Sequence, residues 1–142
     1  MTIKRASAVW KGGIKDGAGT MSTETGVLKD APYGFKSRFE NGKGTNPEEL
    51  IGAAHAGCFS MALSLMLGNE GLTPDRIETQ AEITLEKVGE GFEITASHLK
   101  VVAKISGADQ AKFERIANKA KEGCPVSKLL KAKITMDARL ES

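Results

Sequence analysis

Residues 53–67 read AAHAGCFSMALSLML. The stretch is apolar around nearly its whole circumference, yet it carries His55 and Cys58 three positions apart. Upstream stands TNPEELIG, residues 45–52. Asn46 can cap a helix, Pro47 suits its first position, and Glu49 falls where a capping box wants a carboxylate. Gly68 or Gly71 stops the helix, which then runs for about six turns. The apolar run from Leu50 to Leu67 is long enough to raise a transmembrane segment. Gly52, His55, Gly57, Ser60 and Ser64 interrupt it, and no other segment resembles it, so a helix buried by protein on every side is the expectation. One small sheet covers one side. The other side calls for a second copy of the chain, and the reading predicts a homodimer with this helix at its centre.

Around that helix the chain reads as strands first and helices later. KGGIKDGAG and ENGKG, in the first 45 residues, are glycine-rich turns between short strands, and Asn41-Gly42 carries a hairpin signal. YGFKSRFE is expected as a strand, with Arg38 on it. Residues 77–88, IETQAEITLEKV, alternate: Ile77, Ala81, Ile83 and Leu85 face one way and Glu78, Gln80, Glu82 and Glu86 the other. Residues 92–105 form the partner strand, with a change of phase at Ser97-His98 that predicts a bulge there. His98 is expected as a solvated strand residue. GADQAKFERIANKAKEG is an amphipathic helix with Ala111, Phe113, Ile116, Ala117 and Ala120 as its apolar stripe. A short helix begins at Pro125, and AKITMDARLE is the last strand. The order predicts an α+β fold with an antiparallel sheet, in one domain over residues 1–142.

Composition bounds the function. A chain of 142 residues can bury a core without disulfide staples. A net charge of +2 gives no ground for a nucleic-acid or membrane partner. MTIKRASAVW lacks the apolar run of a signal peptide, and two cysteines without a secretion signal point to a reducing, cytoplasmic setting.

The chemistry rests on Cys58 and Cys124. Taken singly, a buried cysteine is more often inert than reactive. His55 and Cys58 would give half a zinc site, but the chain has no Cys-x-x-Cys pair and would need Cys124 or a carboxylate to finish the set, and no cofactor is expected. The glycine-rich turns match neither phosphate-loop spacing. The two thiols differ physically. Cys124 immediately precedes Pro125 at a helix start, where the dipole and unpaired N–H groups favour a thiolate. Cys58 sits mid-helix among apolar neighbours, where burial raises a thiol pKa by about 3 units. An unperturbed thiol is already only about 3% thiolate at pH 7. One guanidinium about 4 Å away supplies on the order of 4 kcal/mol, enough to cancel that burial. Spacing alone does not say whether one approaches.

TNPEELIGAAHAGCFSMALS, followed some sixty residues later by EGCPVSKLLK, resembles the OsmC/Ohr family, the osmotically inducible protein C and organic hydroperoxide resistance proteins. The resemblance covers essentially the whole chain, and PYGFKSRFENGKGTNPEEL is similar to the osmotically inducible branch. It implies an intertwined α+β homodimer and a cysteine-dependent peroxidase acting on organic hydroperoxides, with hydrogen peroxide as a second candidate substrate, in oxidative and osmotic stress defence. By position, Cys58 resembles the peroxidatic cysteine, Cys124 the resolving cysteine, Arg38 the active-site arginine and Glu48 its glutamate partner. Gly57 departs from the family's alanine. The implied chemistry has Arg38 stabilising the Cys58 thiolate, Glu48 holding the guanidinium in a bidentate pair, and Glu49 serving the helix cap. A Cys58 sulfenic acid then condenses with Cys124 to a disulfide, which a dithiol reductant of dihydrolipoyl or thioredoxin type reopens. Two other functions remain open on the residues alone: a Cys58–His55 hydrolase or acyl transferase with His55 as base, and a non-enzymatic protein whose apolar dimer groove holds a lipid-like ligand.

Overall fold

The computed structural model describes residues 1–141. By internal contacts the chain divides into two compact units, the first from Met1 to Leu50 and the second from Ile51 onward.

The first unit holds a three-stranded antiparallel sheet of β1 (Ala6–Lys11), β2 (Ala18–Thr23) and β3 (Ala31–Tyr33), in that order. Trp10 of β1 stacks at a tilt on Tyr33 of β3, with centroids 5.5 Å apart. The segment expected as a strand behaves otherwise. β3 ends at Tyr33, and Phe35–Phe39 turns as a short helix, α1, which carries Arg38. Gly34 starts it, where the Ser37 hydroxyl accepts from the Gly34 N–H at 2.9 Å and donates to its carbonyl at 3.0 Å. Local side-chain bonding of this kind competes with strand pairing. Asn41-Gly42 makes no hairpin. The Gly42 N–H bonds back to Lys36 O at 3.0 Å, and a Cβ at position 42 would lie 2.5 Å from the Lys36 Cβ, so glycine is required by the close approach.

Helix α2 spans Pro47–Asn69. Asn46 caps it as expected, its Oδ1 accepting the Glu49 N–H at 2.7 Å. The capping box is only half made, because the Glu49 carboxylate takes the Thr45 hydroxyl at 2.7 Å. At the far end Gly71 turns with φ +76°, and the Leu72 N–H returns to Leu67 O at 2.9 Å. Glycine is the residue that takes such a left-handed closure at least cost.

The second unit builds its core on α2. Its sheet has the order β4 (Pro74–Val88), β5 (Gly91–Ile105), β6 (Lys133–Leu140). β4 and β5 form the long antiparallel hairpin that the alternation predicts. The bulge falls at Thr95, between the pairs Thr84↔Ala96 and Leu85↔Ile94, and not at Ser97-His98. From Ser97 onward β5 buries Ser97, Leu99, Val101, Ala103 and Ile105 on one face. β6 lies against β5 in parallel, so the sheet is mixed and not wholly antiparallel. A parallel pair needs a crossover, and α3 (Gln110–Gly123) with α4 (Pro125–Leu129) supplies it. The α+β architecture stands. α3 buries Phe113, Ile116, Ala117 and Ala120, while Ala111, expected in the stripe, is exposed.

α2 is long and apolar enough to cross a membrane. Its residues His55, Phe59, Leu63 and Leu67 are instead fully buried, and the last three join the core of β5 and α3, so α2 is a core helix. Its opposite side is bare: Met61 is 78% exposed and Leu65 65%.

Phe59→Ala should lower stability by about 3–5 kcal/mol, because the side chain is fully buried in that core. Asn46→Ala should cost only about 1 kcal/mol through the lost cap. Urea unfolding of both variants measures the contrast, and near-equal losses would contradict it.

Candidate active site

Two pairs of the expected site residues come together, one in each unit. In the second unit, Cys58 projects from the start of the fourth turn of α2, one residue before the buried Phe59, and is itself half-buried. Cys124 occupies the junction between α3 and α4 and is fully buried. Its N–H closes α3 on Ala120 O at 3.0 Å, and its sulfur starts α4 by accepting the Ser127 N–H at 3.4 Å. The Ser127 hydroxyl lies 3.5 Å from the same sulfur. Pro125 at the first helical position has no N–H to compete. The two thiols are near enough to shift each other's acidity, so α2 and the α3–α4 junction bring together cysteines 66 positions apart in the chain.

Their acidities move in opposite directions. Burial pushes the Cys58 thiol up; the Val126 N–H eases this, while the hydrogen bond and charge of Cys124 add to it. Burial also raises Cys124, but the Ser127 hydroxyl and N–H, the Cys58 thiol and the Val126 N–H outweigh it, and Cys124 lies below the ordinary thiol value. Helix-start reasoning from the sequence named Cys124 the more acidic thiol, and the geometry agrees. A thiolate needs donors, and α4 aims its first N–H groups and one hydroxyl at this sulfur.

In the first unit, Arg38 Nε donates to Glu48 Oε1 at 2.9 Å. The Glu48 side chain is 10% exposed and that of Arg38 39%. The contact runs through one nitrogen and one oxygen, so the bidentate pair expected from the resemblance is not made. Glu48 Oε2 is buried and has no hydrogen-bond partner among the described residues. The Arg38 guanidinium also lies over the Phe39 ring, 5.4 Å from its centroid. Arg38 lines a cavity of about 250 Å³ with Trp10, Ile14, Tyr33, Phe35 and Phe39. An aromatic cleft with one cationic edge suits a ligand with an apolar body and a polar head.

His55 is the residue whose surroundings the sequence could not reveal. It is fully buried, its Nδ1 2.6 Å from Ser97 Oγ and its Nε2 2.8 Å from Ser127 Oγ. Both ring nitrogens are therefore engaged by serines, on β5 and α4. Neither is directed at Cys58, which removes the geometry that a Cys58–His55 hydrolase requires. It also removes His55 from any metal set, and among the described residues no three His, Cys, Asp or Glu side chains cluster to hold an ion. His98, expected to be solvated, bonds Thr135 at 2.6 Å and Asp137 at 3.0 Å across the β5–β6 pair.

A fold with two such thiols at the junction of a long core helix and a helix start defines a dithiol α+β protein, and comparison with known proteins gives its family. Residues 40–139 match the OsmC-like protein family. The chain is 59% identical to the peroxiredoxin OsmC of Escherichia coli over the full length of both. It is 30% identical to the organic hydroperoxide resistance protein OhrB of Bacillus subtilis over 99% of this chain and 98% of that one. The crystal structure of the same OhrB superposes with a TM-score of 0.69 at 26% identity, covering 96% of this chain and 98% of that one. The chain belongs to the OsmC-like family.

Burial holds the His55 pKa below the ordinary imidazole value of 6.5. The unfolded chain then takes up a proton at His55 before the folded one does. The stability this contributes is present above pH 6.5 and is lost as pH falls from there toward the folded-state value. Chemical denaturation of the wild type from neutral pH downward should show that loss, and His55→Gln should show less of it. Equal slopes in the two proteins would contradict the assignment.

Proposed function

We infer that this chain is a thiol peroxidase that reduces organic hydroperoxides to alcohols in defence against oxidative stress. The observation that carries the reading is the pair of facing thiols with opposed acidities, in a chain that belongs to a family with named peroxidases. Cys58 is the attacking thiol: it is half-exposed, whereas Cys124 is wholly enclosed. Its thiolate attacks the outer peroxide oxygen, the O–O bond breaks, and the alkoxide leaves as the alcohol after taking a proton. Cys58 is left as a sulfenic acid. Cys124 attacks that sulfur, a disulfide forms, and hydroxide leaves as water. A dithiol reductant, of dihydrolipoyl or thioredoxin type, restores both thiols by exchange. With its pKa raised, Cys58 needs a cation to ionise at neutral pH.

Arg38 is that cation in this proposal. Its bond to Glu48 uses Nε and so leaves the two terminal amino groups for the thiolate and the peroxide. The aromatic cleft beside it offers a wall for the alkyl tail. The unpartnered Glu48 oxygen supports a site that is completed in the working assembly. That assembly is a homodimer, because Met61 and Leu65 leave one side of α2 uncovered. The protein works in the cytoplasm, where free thiols persist.

Peroxide consumption with a dithiol reductant tests the roles. Cys58→Ser should abolish turnover with an alkyl hydroperoxide. Arg38→Ala should slow it at pH 7 by about 100-fold, the thiolate lost with a rise of about 2 pK units. Arg38→Lys should not restore it, since one ammonium cannot hold Glu48 and face the thiolate from separate edges. Turnover surviving in Cys58→Ser, or an Arg38→Ala protein as fast as wild type, would overturn the assignments. Light scattering should give about twice the 15.1 kDa chain mass, and a 15.1 kDa particle would contradict the dimer.

A further inference from the structure

His55 occupies the one polar place in a stripe otherwise filled by Phe59, Leu63 and Leu67, all fully buried. An apolar side chain would fill that place without losing hydration, so packing does not account for an imidazole. Its two bonds do. Ser97 on β5, His55 on α2 and Ser127 on α4 form one continuous buried chain that ends at Cys124: Ser97 Oγ to Nδ1 at 2.6 Å, Nε2 to Ser127 Oγ at 2.8 Å, and Ser127 Oγ to the sulfur at 3.5 Å.

A neutral imidazole donates from one nitrogen and accepts at the other. The chain therefore has two self-consistent directions. In one, Ser97 donates to Nδ1, Nε2–H donates to Ser127, and Ser127 is left to donate its own proton to the sulfur. In the other, Nδ1–H donates to Ser97, Ser127 donates to Nε2, and Cys124 must supply an S–H to the Ser127 oxygen. The first direction serves a thiolate and the second a thiol.

We propose that Ser97, His55 and Ser127 are positioning residues for the second chemical step, a tautomer-linked relay that turns the Ser127 hydroxyl onto Cys124 and presents that sulfur as a thiolate to the oxidised Cys58. The inference rests on the reading of Cys58 as attacker and Cys124 as resolver. In the step itself the Cys124 thiolate sulfur bonds to the Cys58 sulfur and the Cys58 S–O bond breaks. Cys124 is oxidised and the sulfenic sulfur reduced, and the departing hydroxide takes a proton to become water. No outside oxidant enters. The relay stores no proton: as Cys124 ionises its S–H proton passes to Ser127 Oγ, the Ser127 proton to Nε2 and the Nδ1 proton to Ser97 Oγ, and the displaced Ser97 proton is released, one proton that the departing hydroxide takes up again in the count; the chain reverts once the sulfur is tied in a disulfide and accepts only weakly. A buried His55 favours this, because burial keeps the ring neutral and so able to switch tautomer. The titratable group facing Cys124 from α2 is Cys58, and His55 faces it through Ser127. The packed residues of α3, Phe113, Ile116, Ala117 and Ala120, bring no ionisable group.

The test is the rate of disulfide closure against pH after one equivalent of an alkyl hydroperoxide, with disulfide and sulfinic acid counted by intact mass under excess peroxide. Their ratio is set after the first step and does not depend on its rate. Ser127→Ala should displace the closure profile upward by about one pH unit and raise the sulfinic share about tenfold at neutral pH. His55→Gln should move it the same way, and Ser127→Thr, which keeps the hydroxyl, should restore the wild-type profile. A Ser127→Ala profile that overlays wild type overturns the relay alone. Absence of any disulfide in the wild type overturns the two-thiol reading and the relay with it. Should the serine variant fail to fold, thiolate absorbance of Cys124 in Cys58→Ser decides. A rise below the ordinary thiol pKa supports the relay, and one at or above it overturns it.

Discussion

The site depends on how one side of α2 is buried. Phe59, Leu63 and Leu67 repeat every fourth residue and lock that side into the core of β5 and α3. Rotation of the helix is thereby fixed, and Cys58, one residue before Phe59, is carried to the flank of the buried stripe. There it meets the α3–α4 junction, where Cys124 ends one helix and starts the next. Gly52 lets the first part of the same helix lie close to β4, since a Cβ there would meet Ile83 at 3.3 Å. Deep burial of side chains every four residues and the meeting of two sulfurs are thus one constraint.

That constraint sets the electrostatics. Both thiols lose water, yet only Cys124 gains enough donors to fall below the ordinary value. Cys58 lies above it, its burial outweighing the one N–H it meets. In the proposed two-step reaction this division would have the enclosed sulfur serve as the nucleophile for its neighbour and the accessible one ionise in the completed site. The Arg38–Glu48 pair has the matching character, with a shielded carboxylate anchoring one edge of a more exposed guanidinium.

Much of this was legible in the sequence, and the remainder was hidden for definable reasons. The cap at Asn46, the glycine stop of α2 and the period-2 alternation of β4 are local signals, and each element formed where they placed it. The parallel β5–β6 pair was not legible, because alternation gives a strand's faces but not its direction. α1 was misread as strand because FKSRF has aromatic, strand-like residues, and the local Gly34–Ser37 bonds that turn it leave no periodicity signal in so short a segment. The bulge lay at Thr95, beside the phase change that sequence periodicity detects only within a residue or two. His55 showed as an anomaly, a polar ring in an apolar helix, but its partners stand 42 and 72 residues away and no spacing rule reaches them.

The central claim is that Cys58 and Cys124 are one redox pair within a single chain. Its most direct measurement is the intact mass and cysteine peptide map of the fully reduced wild-type protein after one equivalent of an alkyl hydroperoxide. The account predicts a chain lighter by two hydrogen atoms, with Cys58 and Cys124 joined in one cross-linked peptide. A chain that instead carries an added oxygen on Cys124, with Cys58 still a free thiol, would contradict it.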